Sequence, residues 1–321
     1  VIVRFQGGAN AGHTVEVGED KFVLHLLPSG ILREGKTCVI GNGLVVDVLG
    51  LEQEMVELEQ RGFDIRPRVR LSDRAHLIFE YLKSADAMRE SKAGDKFIGT
   101  TKRGIGPAYA EKANRVGIRA GELRDLQAFE ERFRDRLAAN NAVLAAAGAD
   151  ELDADAQWDR VRPAAEALQP LLADTTTLLH EAVDSGREVL LEGAQGTWLD
   201  IDFGTYPYVT SSNTSVGGAC TGTGLPPQCI DAVWGVVKAY TTRVGEGPFP
   251  CELQDEQGEQ LRRAGNEFGA TTGRPRRCGW LDAVATRYAV RLNGVTDVAL
   301  TKMDVLDAIK EGFDVQVVEE A

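Results

Sequence analysis

The sequence predicts an α/β fold: a mostly parallel central sheet flanked by helices, with a helical insertion. Three observations carry that expectation. Short apolar runs alternate with helix-like stretches through residues 1–120 and again from 187 onward. Glycine-rich polar loops follow the apolar runs, and ligands of open α/β sheets sit at the carboxyl ends of strands. Between about 121 and 186 the composition shifts to Ala, Leu, Glu, Asp and Arg, with few glycines.

Taken in order, VIVRF at the start, TCVIG at 37–41 and GLVVDV at 43–48 read as strands. Residues 51–62 and 72–93 carry helical periodicity and charge. In the 121–186 block, Asp125, Leu126, Phe129, Phe133, Leu137 and Leu144 fall on or near one helical stripe, as in a scaffold layer. REVLLEGA at 187–194 returns to a strand, and DAVWGVVKAYTTRV at 231–244 reads as a long one. Leu281, Val284, Ala285, Tyr288 and Leu292 make the stripe of a packed amphipathic helix. Val298, Ala299 and Leu300 lead into Thr301-Lys302-Met303-Asp304, and a last strand is expected over about 313–319. No repeat or low-complexity linker interrupts this order, so residues 1–321 read as one domain with a helical subdomain at about 121–186.

Composition narrows the function. The 36 Lys plus Arg against 49 Asp plus Glu leave a net charge of -13, which argues against a general nucleic-acid binder. A small anion held by a few local arginines remains compatible with it. There is no apolar run long enough for a membrane-spanning helix, and no charged-then-apolar leader opens the chain. The 5 cysteines are scattered and never spaced Cys-x-x-Cys, which favours a reducing, cytoplasmic setting. His13, His25, His76 and His180 form no metal-binding pair, so any metal is expected to be a hard cation held by oxygens. The 35 glycines are an excess over the usual share of about 7%.

Those glycines cluster in loops. Gln6-Gly7-Gly8-Ala9-Asn10-Ala11-Gly12-His13-Thr14 follows the first strand, where glycines let backbone N–H groups approach a phosphate and His13 could serve as an acid. Gly99-Thr100-Thr101-Lys102-Arg103-Gly104-Ile105-Gly106-Pro107 combines hydroxyls with basic groups. In Glu192-Gly193-Ala194-Gln195-Gly196-Thr197, the Gln195 amide suits reading a base or carbonyl, and a hydroxyl-dense stretch to Thr214 follows. Gly269-Ala270-Thr271-Thr272-Gly273-Arg274-Pro275-Arg276-Arg277 is the most basic segment, its guanidinium forks matched to carboxylate or phosphate. Lys302 and Asp304 after an apolar strand suit guanine, whose N1–H and amino group a carboxylate accepts. Each loop alone also reads as an ordinary capped turn or solvated charge run; the five together are far more specific.

QGGANAGHT, LLPSGILR, GTTKRGIGPAY, EGAQGTWLDIDFGTYPYVTSSNT, GNEFGATTGRPRR and TKMDVLD, in this order, closely resemble the adenylosuccinate synthetase family over nearly the whole chain. The resemblance implies a sheet of the P-loop-NTPase-like kind and GTP-dependent ligation of IMP and L-aspartate. In that reaction GTP phosphorylates the 6-oxygen of IMP and the aspartate amine displaces the phosphate. Position by position, it implies that His13 is the general acid at the transferring γ-phosphoryl group, with Gln195 beside it as a catalytic residue. Asn10, Ala11, Gly12, His13, Thr101, Gln195, Thr210 and Arg274 are implied IMP contacts, and Arg115 an IMP contact reaching across a homodimer interface. Ala270, Thr271, Thr272, Gly273, Arg274, Pro275 and Arg276 are implied to hold aspartate. Gly12, His13, Thr14, Arg276, Lys302, Met303 and Asp304 are implied to hold GTP, and the Gly12 carbonyl to ligate Mg²⁺.

The family pattern also contains a strand and a loop of the form Gly-Asp-Glu-Gly-Lys-Gly-Lys ahead of the segment matched by Val1, and a segment beyond the guanine-reading element. The sequence is therefore expected to be an incomplete member, with apolar strand edges exposed. Lys102 stands where the family usually has Gly, and Pro275 lies within the arginine run. Two rival readings remain: a nucleotide-binding or assembly fragment without turnover, and a GTPase-type switch resting only on Thr301 to Asp304.

Overall fold

In the computed structural model, which describes residues 1–92, 94, 99–269, 273–307 and 309, the chain opens with β1 (Ile2–Arg4). A hairpin of β2 (His13–Val17) and β3 (Asp20–Leu24) turns across Gly18, whose φ of 63° suits glycine. Then come β4 (Cys38–Ile40), β5 (Val45–Asp47), α1 (Val48–Gln60), β6 (Val69–Ser72), β7 (His76–Ile78), α2 (Glu80–Lys92) and α3 (Ile105–Asn114). The helical block comprises α4 (Leu126–Ala146), α5 (Ala154–Leu168) and α6 (Thr175–Asp184), with β8 (Leu172–Ala173) between the last two. Next are β9 (Leu190–Glu192), α7 (Val216–Thr223), β10 (Trp234–Lys238), β11 (Thr241–Arg243) and α8 (Glu256–Ala264). The described elements end with β12 (Arg277–Gly279), α9 (Ala283–Asn293), β13 (Asp297–Thr301) and α10 (Met303–Asp307).

Five strands pair in parallel in the order β8-β6-β4-β1-β9. In β1, β4 and β6 the apolar residues alternate between two covered faces, as a parallel sheet requires, while Leu190 on the edge strand β9 is 60% exposed. Cys38, Ile40, Val69 and Leu71 join the core under α1, α4 and α5, while Val3 and Val39 pack with Leu179 and Leu225 on the other side. The helical block follows its stripe: Phe129, Phe133, Leu137 and Leu144 are buried, and Phe129 and Phe133 meet Phe79 and Trp158. Asp125 does not extend the stripe but caps α4, accepting from Gln127 N and Ala128 N at 3.1 Å. Asp153, Asp174, Asp255 and Asp282 cap α5, α6, α8 and α9 in the same way.

Three expectations need correction. Residues 72–93 are not one helix, because β6 and β7 occupy 69–72 and 76–78 and the helix begins at Glu80. β6 is only four residues, Val-Arg-Leu-Ser, and β7 only three, His-Leu-Ile, so neither is long enough to show a period of two against the helix that follows. The run at 231–244 is two strands in different sheets, β10 beside β13 and β11 beside β12, broken where Tyr240 turns into a small core. The 281–292 stripe does form α9, yet Leu281, Val284 and Tyr288 are 41%, 40% and 42% exposed. The expected strand at 313–319 lies outside the described residues.

Candidate functional site

Arg4 and Glu192 are direct partners across β1 and β9, so the loops after these strands meet. Gln6 Nε2 donates to Ala194 O, and Ser212 Oγ donates to Gln6 Oε1 at 3.3 Å. Gly7 has a φ of 82°, and a Cβ there would stand 3.0 Å from Gln195 Oε1 and 3.6 Å from Asn10 Oδ1. A side chain at this position would therefore both strain the turn and crowd two candidate ligand-binding groups. Asn10 Nδ2 donates to Thr210 Oγ1 at 3.3 Å, uniting residues that the sequence separates by 200 positions. Gln195 is held at a φ of 59°, and its Oε1 is buried without a hydrogen-bond partner. An orphaned acceptor at a strained position is a poised contact for a ligand donor. Tyr109 buttresses the loop, its hydroxyl accepting from Gly7 N at 3.0 Å and donating to Gly43 O at 2.7 Å; burial pushes its phenol up to about 12.

Farther along the same loop, Ala11 is buried and its carbonyl lies 2.6 Å from His25 Nδ1. Gly12 follows, half-buried, and Thr14 points outward on β2. His13 Nδ1 lies 2.7 Å from Glu192 Oε1, and Glu192 also accepts from Ser29 N and Ser29 Oγ at 2.8 Å each. Burial alone would raise the Glu192 carboxyl, but these hydrogen bonds and the Arg4 charge hold it below its ordinary range.

The second loop hangs from α2. Glu90 Oε1 accepts from Gly99 N and Thr100 N at 2.6 and 3.0 Å, and Asp86 Oδ2 accepts from Gly104 N at 3.0 Å. Thr101 is half-buried here, and Lys102 has a φ of 55°, a conformation that glycine adopts without strain. A Cβ on Gly106 would touch Ser211 Oγ at 3.4 Å, so this loop abuts the hydroxyl-dense stretch. That stretch is ordered by fully buried Asp200, which accepts from the backbone of Asp202, Phe203, Thr214 and Ser215. Arg115 stands exposed at the left-handed C-cap of α3.

Glu267, 1% exposed, organises the arginine segment: Lys238 Nζ at 2.9 Å, Tyr240 OH at 2.6 Å and Arg276 Nη1 at 2.5 Å all donate to it. Burial would raise this carboxyl, and its three donors keep it low. Arg274 reaches the second loop, its Nη1 3.3 Å from where a Gly99 Cβ would lie. Gly273 takes a φ of 65°, and Pro275 bridges Phe268. Ala270, Thr271 and Thr272 lie outside the described residues. Lys302, with a φ of 61°, donates to Gly265 O at 3.1 Å, two residues before Glu267. Met303 and Asp304 open α10, both exposed.

Among the described residues, non-glycine positive φ occurs at Lys102, Arg115, Gln195, Asn266 and Lys302. Lys102, Gln195 and Lys302 lie in candidate loops and Arg115 is the left-handed C-cap of α3, whereas Asn266 is not among the sequence-derived candidate residues. The sequence reading missed the supporting carboxylates. Glu192 and Glu267 lie within the quoted motifs but reach partners up to 179 and 29 positions away, and Glu90 and Asp86 on α2 reach a loop 9 to 18 positions on; no pattern along the chain marks any of them as a support. No group of three or more His, Cys, Asp or Glu suited to a metal occurs among the described residues. A cavity of about 170 Å³ between α2, α3 and α4 is lined by none of the candidate site residues.

Residues 1–318 match the family model described as adenylosuccinate synthetase. The chain is similar to the adenylosuccinate synthetase of Nitratidesulfovibrio vulgaris (strain DP4), 54% identical over 314 residues, covering 97% of this chain and 74% of that protein. It is also similar to that of Heliobacterium modesticaldum, 53% identical over 310 residues, covering 96% and 72%. Among solved structures, fully ligated adenylosuccinate synthetase from Plasmodium falciparum superposes with a TM-score of 0.90 at 42% identity, covering 95% of this chain and 71% of that one. Cyanophage S-2L succinoaminodeoxyadenylate synthetase shares the fold at a TM-score of 0.65 and 23% identity, covering 96% and 80%.

Proposed function

The chain belongs to the adenylosuccinate synthetase family, ligases that join IMP to L-aspartate with GTP, and on that premise we propose how its residues divide the reaction. His13 is the acid that stabilises the γ-phosphoryl group as it passes to the IMP 6-oxygen, giving 6-phosphoryl-IMP. Asn10, Ala11, Gly12, Thr101, Gln195, Thr210 and Arg274 hold IMP, with the unpartnered Gln195 Oε1 accepting from the base. Gly273, Arg274, Pro275 and Arg276, with Ala270, Thr271 and Thr272, hold aspartate while its amine displaces the phosphate. Lys302, Met303 and Asp304 read guanine, and Gly12, His13, Thr14 and Arg276 complete the GTP contacts.

Such chemistry requires mainly positioning and charge stabilisation. The observation that carries the assignment is the meeting of three loops at Asn10, Gln195 and Thr210, with His13 on the hairpin at their edge. The Gly12 carbonyl is a hard oxygen donor of the kind Mg²⁺ takes alongside water and substrate phosphates, and the cation would neutralise phosphate charge. The working form is a homodimer in which Arg115 enters the neighbouring site, and the setting is cytoplasmic. Five free cysteines support that setting. No helix among the described residues is long and apolar enough to cross a membrane.

The family assignment favours the ligase over a binding fragment or a GTPase-type switch. The test is adenylosuccinate formation with GTP, IMP and aspartate withheld in turn, for the protein and its His13→Asn variant. Each omission should abolish product, and His13→Asn should lower kcat about 10²- to 10⁴-fold. Retention of kcat within about threefold would remove His13 from the chemistry.

A further inference from the structure

Resting on the reading of His13 as the acid, we propose that Glu192 is its positioning residue. Its carboxylate accepts from Nδ1–H and leaves Nε2, which carries the second proton in the acid form, as the nitrogen that donates to substrate. An ionised carboxylate only accepts hydrogen bonds, so the 2.7 Å contact requires the proton on His13 Nδ1. Ring orientation and tautomer are thereby set together, the service a carboxylate renders a catalytic histidine in hydrolytic triads.

Several features separate this from an incidental ion pair. Glu192 belongs to the sheet and His13 to a hairpin beside it, so the contact ties a reacting group to a rigid element. The carboxylate is itself clamped: Ser29 N binds Oε2, and Ser29 Oγ shares Oε1 with His13. Its aligned cross-strand neighbour is fully buried Arg4, whose Nε and Nη2 have no hydrogen-bond partner. Glu192 thus makes no hydrogen bond to the Arg4 guanidinium, which acts on it only through space, and its hydrogen bonds go to His13 and Ser29. The loop carrying His13 is pinned from the same side, where His25 Nδ1 meets Ala11 O and Glu54 accepts from the backbone of His25, Leu26 and Leu27.

The experiment is a double-mutant cycle of Glu192→Gln and His13→Asn, with KM and kcat measured for each substrate. Long-range ¹⁵N–¹H spectra of the His13 ring complete it. In the parent background Glu192→Gln should lower kcat about 10- to 100-fold with KM values little changed, and the Nδ1-protonated tautomer should lose its dominance. In the His13→Asn background it should change kcat no further. Ser29→Ala, which loosens the clamp without touching His13, should act in the same direction and more weakly. An unchanged tautomer, or an equal effect of Glu192→Gln with and without His13, overturns the proposal. If His13→Asn itself retains kcat, the reading of His13 fails instead, so the two failures are distinguishable.

Discussion

The first half of the molecule and its β10–β13 region are held together by different means. Under α1, α4 and α5 lies one large apolar core in which Leu51, Phe129 and Phe133 are essentially inaccessible. The later core is only Tyr240, Leu261, Cys278, Val305 and Ile309 among the described residues, and beside it Trp234 and Val236 are 68% and 76% exposed. There, polar hubs take over: Glu267 gathers Lys238, Tyr240 and Arg276, and Glu252 clasps Arg277. The scaffold is thus secured by area removed from water, whereas the segments proposed to hold nucleotide and aspartate are secured by directed bonds that also aim their polar groups.

The sharpest test pairs one aromatic from each region. Phe133→Ala should cost about 3–5 kcal/mol of stability by opening a cavity, whereas Trp234→Ala should stay within about 0.5 kcal/mol. Denaturant titration of both variants decides it, and equal losses would erase the contrast. Next in size, Glu267→Gln should cost about 3 kcal/mol by stranding two cations, discounted because both are partly exposed. It should also raise KM for aspartate and GTP, which steady-state kinetics would show. An unaltered KM would mean that the hub only supports the fold.

Acid should separate the regions more gently. Burial, with Lys112 and Arg119 nearby, holds His76 on β7 neutral, down to about 4. The unfolded chain binds this proton from about pH 6.5, so the contribution is present above 6.5 and lost as pH falls toward 4, about 3 kcal/mol in all. Asp200 and Glu267 are depressed carboxyls, so their contributions are full above the ordinary carboxylate range and are lost as pH falls through that range toward their depressed values. Hydrogen exchange between pH 7 and 4 should therefore show β7 and its neighbours loosening before the 200–215 loop, and His76→Leu should flatten that slope. Loosening in the reverse order would contradict it.

Much of the site was legible because its loops are local in sequence. Glycine where the backbone must turn, as at Gly7, and hydroxyls or arginines beside it are signals carried within about nine residues. The positive φ at Lys102 is a conformation that glycine adopts without strain. The stripe of α4 was equally plain, since helical periodicity is read off one segment. What failed needed a second segment. The short strands β6 and β7 look helical until their partners bury them, and α9 has the pattern of a packed helix while its apolar face is only half-covered, Tyr288 stacking on Trp198.

The sequence by itself determined the order of the loops and the kinds of group each presents, because those are properties of residue type and spacing, and its motifs carried the resemblance that implied the family and its chemistry. Only the tertiary structure decided which groups meet. Asn10 finds Thr210, and Glu192 reaches Ser29 and His13 across 163 and 179 positions. Glu267 becomes the common anchor of Lys238 and Arg276. Such pairings depend on strand order and on how loops close over a sheet, and a hydrogen bond works only within about 3 Å. No pattern along the chain encodes that distance.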